Sequence, residues 1–255
     1  MKNPEKSWFG REKVTPEEKT RNVIGVFDSV ASRYDLMNDA MSMGIHRLWK
    51  DHFVRCINPR SHMVSGRPVD YLDVAGGTGD IAFRLRRTMG SGANITLCDL
   101  NDTMLQVGRE RAQDNGWIDD FNWVTGNAEA LPIPDESIDI YTISFGLRNV
   151  THIDTALQEA HRVLRKGGRF FCLEFSRVHP AVFSRIYDLY SYEFIPRLGE
   201  YIAGDRESYQ YLVESIRAFP EQAELCDRIR RAGFNRVKHH NLTMGVVAIH
   251  QGKKV

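Results

Sequence analysis

Apolar residues in this chain gather into short runs separated by stretches of helical period, and the alternation is regular through its middle. Continuous apolar runs that end in turn residues predict strands at Tyr71 to Ala75, Ile95 to Asp99, Phe121 to Thr125, Ile138 to Phe145 and Arg169 to Phe175. Between them, apolar positions three and four apart predict helices at Ile81 to Arg87, Met104 to Asn115 and Ile153 to Arg165. Alternation of this kind points to right-handed βαβ units on a mainly parallel sheet. Ahead of it, residues 1–20 are polar, and helical patterns through Val23, Val26, Phe27 and Val30, then Ile45, Leu48, Trp49 and Phe53, predict a helical approach to the domain. After Phe175 the rhythm breaks. The block from Ala181 to Phe219 is aromatic and interrupted by Pro196, Gly199 and Gly204, which suits a helical insertion. A helix from Glu221 to Ala232 stops at Gly233, placed as a C-cap, and strands at Arg236 to His240 and Gly245 to Gln251 close the chain. The expected division is an N-terminal helical segment over 1–60 and an α/β domain over 61–255, with the insertion at about 181–219.

A length of 255 residues with 42% hydrophobic content supports one sizeable core and is short for two. Lys+Arg of 34 against Asp+Glu of 33 leaves a formal charge of +1, so no overall field gathers nucleic acid, and no nucleic-acid partner is expected. Cys56, Cys98, Cys172 and Cys226 stand far apart without C-x-x-C spacing and read as reduced, small core residues. His46, His152, His161 and His250 show no metal-ligand spacing, so no metal site is expected. No run reaches the roughly 18 to 20 apolar residues that a membrane span needs. The first residues lack an apolar core and carry Glu5 and Glu12, unlike a signal or transit peptide, so either none is needed or one has been removed.

The segment YLDVAGGTGDIAF sets a buried-looking strand directly before Gly76, Gly77 and Gly79, with a helix opening after Asp80. Glycines there let backbone N–H groups approach a ligand closely. Because Gly77 to Ala82 also fits G-x-G-x-x-A, the loop alone does not separate a dinucleotide site from a methyl-donor site, and a plain strand-to-helix turn is the bland reading. Asp99 ends the next strand, roughly 20 residues on, where a carboxylate can accept bonds from both ribose hydroxyls; its bland reading is a helix N-cap. Asn127 and Ala128, after the third strand, can read an adenine edge, although Gly-Asn is also ordinary turn chemistry. The order of these elements, with a late strand pair after the helix from Glu221, suits a class I S-adenosylmethionine-dependent methyltransferase plan better than a dehydrogenase.

The sequence resembles the ubiquinone/menaquinone biosynthesis C-methyltransferase family over roughly residues 22–255. The strings that carry the resemblance are VFDSVASRYDLMNDAMSMGIHRLWK, LDVAGGTGDIAF, ISFGLRNV, EAHRVLRKGGRFFCLEFS, SYQYLVESIRAFP and GVVAIHQGKK. The resemblance implies a Rossmann-like, mainly parallel seven-stranded sheet with its last strand antiparallel. It also implies S-adenosyl-L-methionine as methyl donor, and methylation of a ring carbon of 2-polyprenyl-6-methoxy-1,4-benzoquinol or of demethylmenaquinol. The family's donor-contacting positions fall on Thr78, Asp99, Asn127, Ala128 and Ser144, beside Gly77 and Gly79 of the loop. One departure is Arg165-Lys166-Gly167-Gly168, where the family usually has Lys-Pro-Gly-Gly. HRLWKDHF and FFCLEFS are similar to the mitochondrial branch or its close bacterial relatives. That implies the matrix face of the mitochondrial inner membrane, or the cytoplasm if bacterial, with peripheral membrane contact, association with other quinone-biosynthesis proteins in a multi-enzyme complex, and a homodimer.

Ring methylation needs a carbon nucleophile in line with the methyl and the departing sulfur, and a quinol carbon becomes more nucleophilic as the neighbouring hydroxyl loses its proton. Arg148 is the first candidate to stabilise that phenolate; its bland reading is a carboxylate partner that holds the loop. Asp80, Asn149, Tyr201 and Tyr209 are further polar candidates. The aromatic stripe of the insertion, Tyr187 and Phe194 included, suits a substrate wall and lid as well as ordinary core. Tyr34 is a candidate to close over the donor. The rival readings are a nucleotide-dependent oxidoreductase, a methyltransferase acting on another small aromatic, and a non-catalytic scaffold of quinone biosynthesis.

Overall fold

A computed structural model describes residues 7–9, 12–30, 39, 42, 44–58, 67–178 and 206–255. Short strands β1 (Ser7–Phe9) and β2 (Glu12–Val14) pair antiparallel ahead of helix α1 (Pro16–Val30). The helix starts earlier than its apolar period suggests because Thr15 and Glu18 cap it reciprocally. The Glu18 N–H donates to Thr15 Oγ1 at 3.2 Å and the Thr15 N–H to Glu18 Oε2 at 2.8 Å, with Pro16 at the first helical position. Helix α2 (Ile45–Ile57) follows and buries Trp49, Phe53, Val54 and Ile57 along one face.

The sheet then builds from β3 (Val69–Val74), α3 (Asp80–Met89), β4 (Ala93–Asp99), α4 (Asp102–Asp114), β5 (Phe121–Thr125), β6 (Ile138–Ser144), α5 (Ile153–Val163) and β7 (Leu164–Phe175). Helices α6 (Arg206–Ala218) and α7 (Gln222–Arg231) precede β8 (Asn235–Leu242) and β9 (Val247–Lys253). The seven strands lie in the order β5-β4-β3-β6-β7-β9-β8. Those from β5 to β7 are parallel, and β9 runs antiparallel between β7 and β8, the arrangement that the class I plan implies. Every strand predicted from sequence is present. β7 starts earlier than expected, at Leu164, because the Arg165 to Gly168 segment stays in the strand, where Leu164 pairs with Ile138 across a register shift. The insertion resolves into α6 at its end; residues 181–205, with Tyr34, Tyr187, Phe194 and Tyr201, lie outside the described residues, as does the side chain of Tyr209.

Alternate residues of the central strands feed two cores, one on each face. Tyr71, Leu97 and Phe171 pack with α2 and α3, while Leu72, Cys98, Tyr141 and Cys172 pack with α5 and α7. Burial on both faces explains why these strands read as continuous apolar runs. Trp49 Nε1 donates to Thr243 Oγ1 at 2.8 Å, which ties α2 to the turn between the last two strands. Among the described residues no helix is long and apolar enough to cross a membrane.

Candidate functional site

β3, β4 and β5 step outward in one direction, and the chain then returns to lay β6 on the other side of β3. That reversal leaves a crevice beyond the carboxyl ends of the strands, where open α/β sheets hold ligands. The cavity found there, counted together with its opening to solvent, has a volume of about 820 Å³. Its floor comes from the turns after β3, β4, β5 and β6, and Thr20, Val23, Ile24 and Phe27 of α1 wall one side.

The two central turns are built for close approach. Ala75 and Phe145, which follow β3 and β6, both have positive φ (51° and 56°), and a Cβ added to Gly146 would stand 2.3 Å from Ala75 Cβ. No side chain fits on Gly146, so its backbone packs directly against the Ala75 methyl. Gly79 starts α3 with φ 85°, and a Cβ on it would reach within 2.8 Å of the Phe83 ring.

Asp99 lines the cavity at the end of β4. Its carboxylate accepts from the Gly77 N–H at 2.8 Å and the Asn101 N–H at 2.9 Å, so it locks the glycine loop against the neighbouring strand. The N-cap of α4 is Asn101, which accepts from the Met104 N–H; Asp99 is therefore not the cap. Burial raises Asp99 above the usual carboxylate range, against the pull of the Asn101, Gly77 and Leu100 N–H groups. Asn127 does both things open to it: Oδ1 accepts from the Glu129 N–H at 2.9 Å, closing a turn, and the residue lines the cavity beside Ala128. Ser144 also lines it, and its buried Oγ has no hydrogen-bond partner among the described residues. An unpaired buried hydroxyl facing a cavity calls for a polar ligand atom.

Gly77, Asp99, Asn127, Ala128 and Ser144 thus meet around one cavity, and Thr78, Gly79 and Arg148 do not line it. Thr78 is buried and its hydroxyl accepts from Arg111 at 2.9 Å. Arg148, instead of pointing into the cavity, donates through Nη1 to both oxygens of Glu174, at 3.0 and 3.2 Å, and to the Phe145 carbonyl at 2.5 Å, and its guanidinium lies over the Phe175 ring. Both partners are buried. That geometry favours the loop-holding reading, because the pair anchors the turn that carries Phe145, Gly146 and Asn149. Asp80 is likewise engaged elsewhere, with Lys50 at 2.5 Å and with Arg84. Asn149 lines the cavity and accepts from the Tyr211 hydroxyl at 3.0 Å.

Sequence reasoning missed Asp73 beneath the loop. It is 1% exposed, accepts from the Thr142 hydroxyl at 2.7 Å, and leaves Oδ2 without a partner among the described residues. Burial pushes it up to about 7; nearby Asp99 adds to this, and the Thr142 hydroxyl and Lys50 oppose it. Its place at the end of the YLDV run was a legible signal, but an acid inside a strand reads first as an edge position.

The model of the ubiE/COQ5 methyltransferase family matches residues 14–254 of this chain. Among curated proteins it is 50% identical over 280 residues to a 2-methoxy-6-polyprenyl-1,4-benzoquinol methylase, mitochondrial, of Mus musculus, covering 97% of this chain and 84% of that protein. It is 53% identical over 244 residues to a ubiquinone/menaquinone biosynthesis C-methyltransferase UbiE of Rhodopseudomonas palustris, covering 96% and 95%. Among solved structures, a SAM-dependent methyltransferase of Thermotoga maritima superposes with a TM-score of 0.63 at 20% identity, covering 91% of this chain and 99% of that one, which speaks for the fold.

Two outcomes follow from this geometry. Arg148→Ala strands Glu174 in the core, so urea unfolding should show a loss of about 3–5 kcal/mol, the cost of breaking a buried pair from one side, and ligand affinity of the cavity should fall with it. A stable variant with intact binding and turnover cut by two to three orders of magnitude would instead restore Arg148 as a stabiliser of developing charge. For Asp73, the folded protein holds a proton between its ordinary value of 3.8 and about 7 that the unfolded chain has already released. Its contribution to stability therefore falls as pH rises through that window and is flat above it. Subtracting the stability–pH curve of Asp73→Asn from that of the parent should isolate this downward slope; parallel curves would show that Asp73 does not titrate there.

Proposed function

The chain belongs to the ubiE/COQ5 methyltransferase family, and on that premise we propose that it transfers a methyl group from S-adenosyl-L-methionine to a ring carbon of 2-methoxy-6-polyprenyl-1,4-benzoquinol in ubiquinone biosynthesis. The observation that carries this reading is the meeting of Asp99, Asn127 and the unpaired Ser144 hydroxyl in one cavity at the reversal of the sheet. These residues fit the donor. Asp99 would accept from the ribose hydroxyls, Asn127 and Ala128 would face the adenine, and Gly77 would let the backbone come close. Ser144 Oγ would meet a polar atom of the donor.

When bound, the sulfonium supplies an electrophilic methyl group. The protein's part is to hold it still, to exclude water and to fix the approach of the acceptor, which provides much of the rate in such a displacement. Val23, Ile24 and Phe27 of α1 supply an apolar wall for this purpose. Arg148 and Glu174 act as positioning residues by fixing the turn after β6. The acceptor's hydroxyl proton leaves to a base or to water as the ring carbon attacks; the hydrogen on the methylated carbon is then lost as a proton and the oxygen regains one, which restores the aromatic quinol. For the ring and the prenyl tail, the candidates from sequence are Tyr187 and Phe194 of the insertion, with Tyr201 and Tyr209 as polar contacts.

The name of the Rhodopseudomonas palustris relative favours one second reading, in which demethylmenaquinol is also an acceptor. A long prenyl tail is poorly soluble in water, so the enzyme works at a membrane surface. For the mitochondrial branch that surface is the matrix face of the inner membrane, where the enzyme joins other quinone-biosynthesis proteins, with a homodimer as the unit.

Incubation with methyl-labelled donor and short-chain benzoquinol or naphthoquinol, followed by mass spectrometry, should give a product heavier by one methyl-for-hydrogen exchange. Asp99→Ala should weaken donor binding by about 1.5 to 3 kcal/mol, the worth of charge-assisted hydrogen bonds. No labelled quinol from either acceptor would overturn the reading, and unchanged donor affinity in Asp99→Ala would remove that residue from it.

A further inference from the structure

At the opposite edge of the sheet from β5, three side chains outside the cavity converge where α7 covers the β8–β9 pair. His239 and His250 are partners across that antiparallel pair, and Cys226 reaches them from α7. One ligand atom from each lies within 4.8 Å of the other two. Cys226 Sγ stands 3.5 Å from His239 Nδ1, and the two imidazole centroids are 5.7 Å apart.

The state of His250 is fixed by its surroundings. Its Nε2 is 3.2 Å from the Gln222 carbonyl, which only accepts, so the ring proton sits on Nε2 and the lone pair on Nδ1. His250 is 1% exposed, and Nδ1 is buried without a hydrogen-bond partner among the described residues. A weak thiol-to-imidazole hydrogen bond accounts for Cys226 and His239 but leaves that nitrogen unsatisfied, at a cost of the order that proteins usually avoid. Metal-ligating histidines commonly donate their second ring N–H to a backbone carbonyl, the arrangement seen between His250 and Gln222.

We propose that Cys226, His239 and His250 form a binding site for a zinc-class divalent transition metal, with the fourth position open to water on the exposed side of His239. One thiolate and two imidazoles select zinc or cobalt over magnesium or calcium. Binding forms one metal–sulfur and two metal–nitrogen bonds and releases the Cys226 thiol proton to solvent, with no change of oxidation state. Tetrahedral coordination at about 2.0 to 2.3 Å draws the three ligand atoms closer together than the 4.8 Å within which they now lie. The ion would pin α7 to the closing strands, so its effect is on the stability of this edge and not on the methyl-donor cavity.

The test uses the untagged full chain, stripped with chelator and titrated with cobalt(II). The site should give the visible bands of tetrahedral cobalt and a thiolate charge-transfer band at one-to-one stoichiometry, both displaced by zinc. Zinc should also raise the melting temperature of the parent. His239→Asn, a change at an exposed side chain, should weaken binding at least about tenfold and abolish the zinc-dependent shift, and Cys226→Ser should remove the charge-transfer band. Absence of that band in the parent, or equal binding by parent and His239→Asn, overturns the proposal, whether or not Cys226→Ser folds.

Discussion

The turns after β3 and β6 touch, with no room for a side chain between Ala75 and Gly146, and the rest of the site is arranged around that contact. The second of these turns has an anchor of its own. Arg148 and Glu174 hold it from behind through a buried ion pair, and the Phe145 carbonyl takes the same guanidinium. On the first turn, Asp99 reaches across from the adjacent strand to the Gly77 N–H. Fixed on both sides, the turns leave Ser144 and Asp99 facing a common space, where the Ser144 hydroxyl has no partner among the described residues.

The charged side chains that line the cavity, Asp99 and Glu129, are both acidic. Asp73 and Asp99 are both raised by burial, and the nearby cation Lys50 is already bound to Asp80 at 2.5 Å. A cavity lined by two acidic side chains favours a positively charged ligand, because charges interact more strongly at a partly enclosed site than in bulk solvent. A sulfonium donor fits that field better than the pyrophosphate of a dinucleotide, although the glycine loop by itself would accommodate either. The acidic edge therefore separates two readings that the G-x-G-x-x-A spacing leaves together.

The strands were legible because they are buried on both faces, so their apolar runs are continuous; Asp99 and Asn127 were legible because they stand at or just past the end of a strand, and Ser144 came through the family resemblance. What escaped depends on pairings far apart in the chain. Arg148 reads as a catalytic candidate from ISFGLRN alone; its partner Glu174 stands 26 residues away in FFCLEFS, and only the adjacency of β6 and β7 joins them. Thr78 sits in the loop as expected, but the turn directs its hydroxyl to Arg111 on α4. The start of α1 was hidden for the opposite reason: a capping box and a proline set it, not apolar period. Cys226, His239 and His250 show no ligand spacing in sequence because antiparallel register, not a motif, brings them together.

The most direct test of the account is a crystal structure with S-adenosylhomocysteine bound. The account predicts the ligand in the cavity between α1 and the strand ends, its ribose hydroxyls on the Asp99 carboxylate, its adenine beside Asn127 and Ala128, and the Ser144 hydroxyl newly hydrogen-bonded. A ligand bound elsewhere, or one in the cavity that leaves Asp99 and Ser144 without new partners, would contradict it.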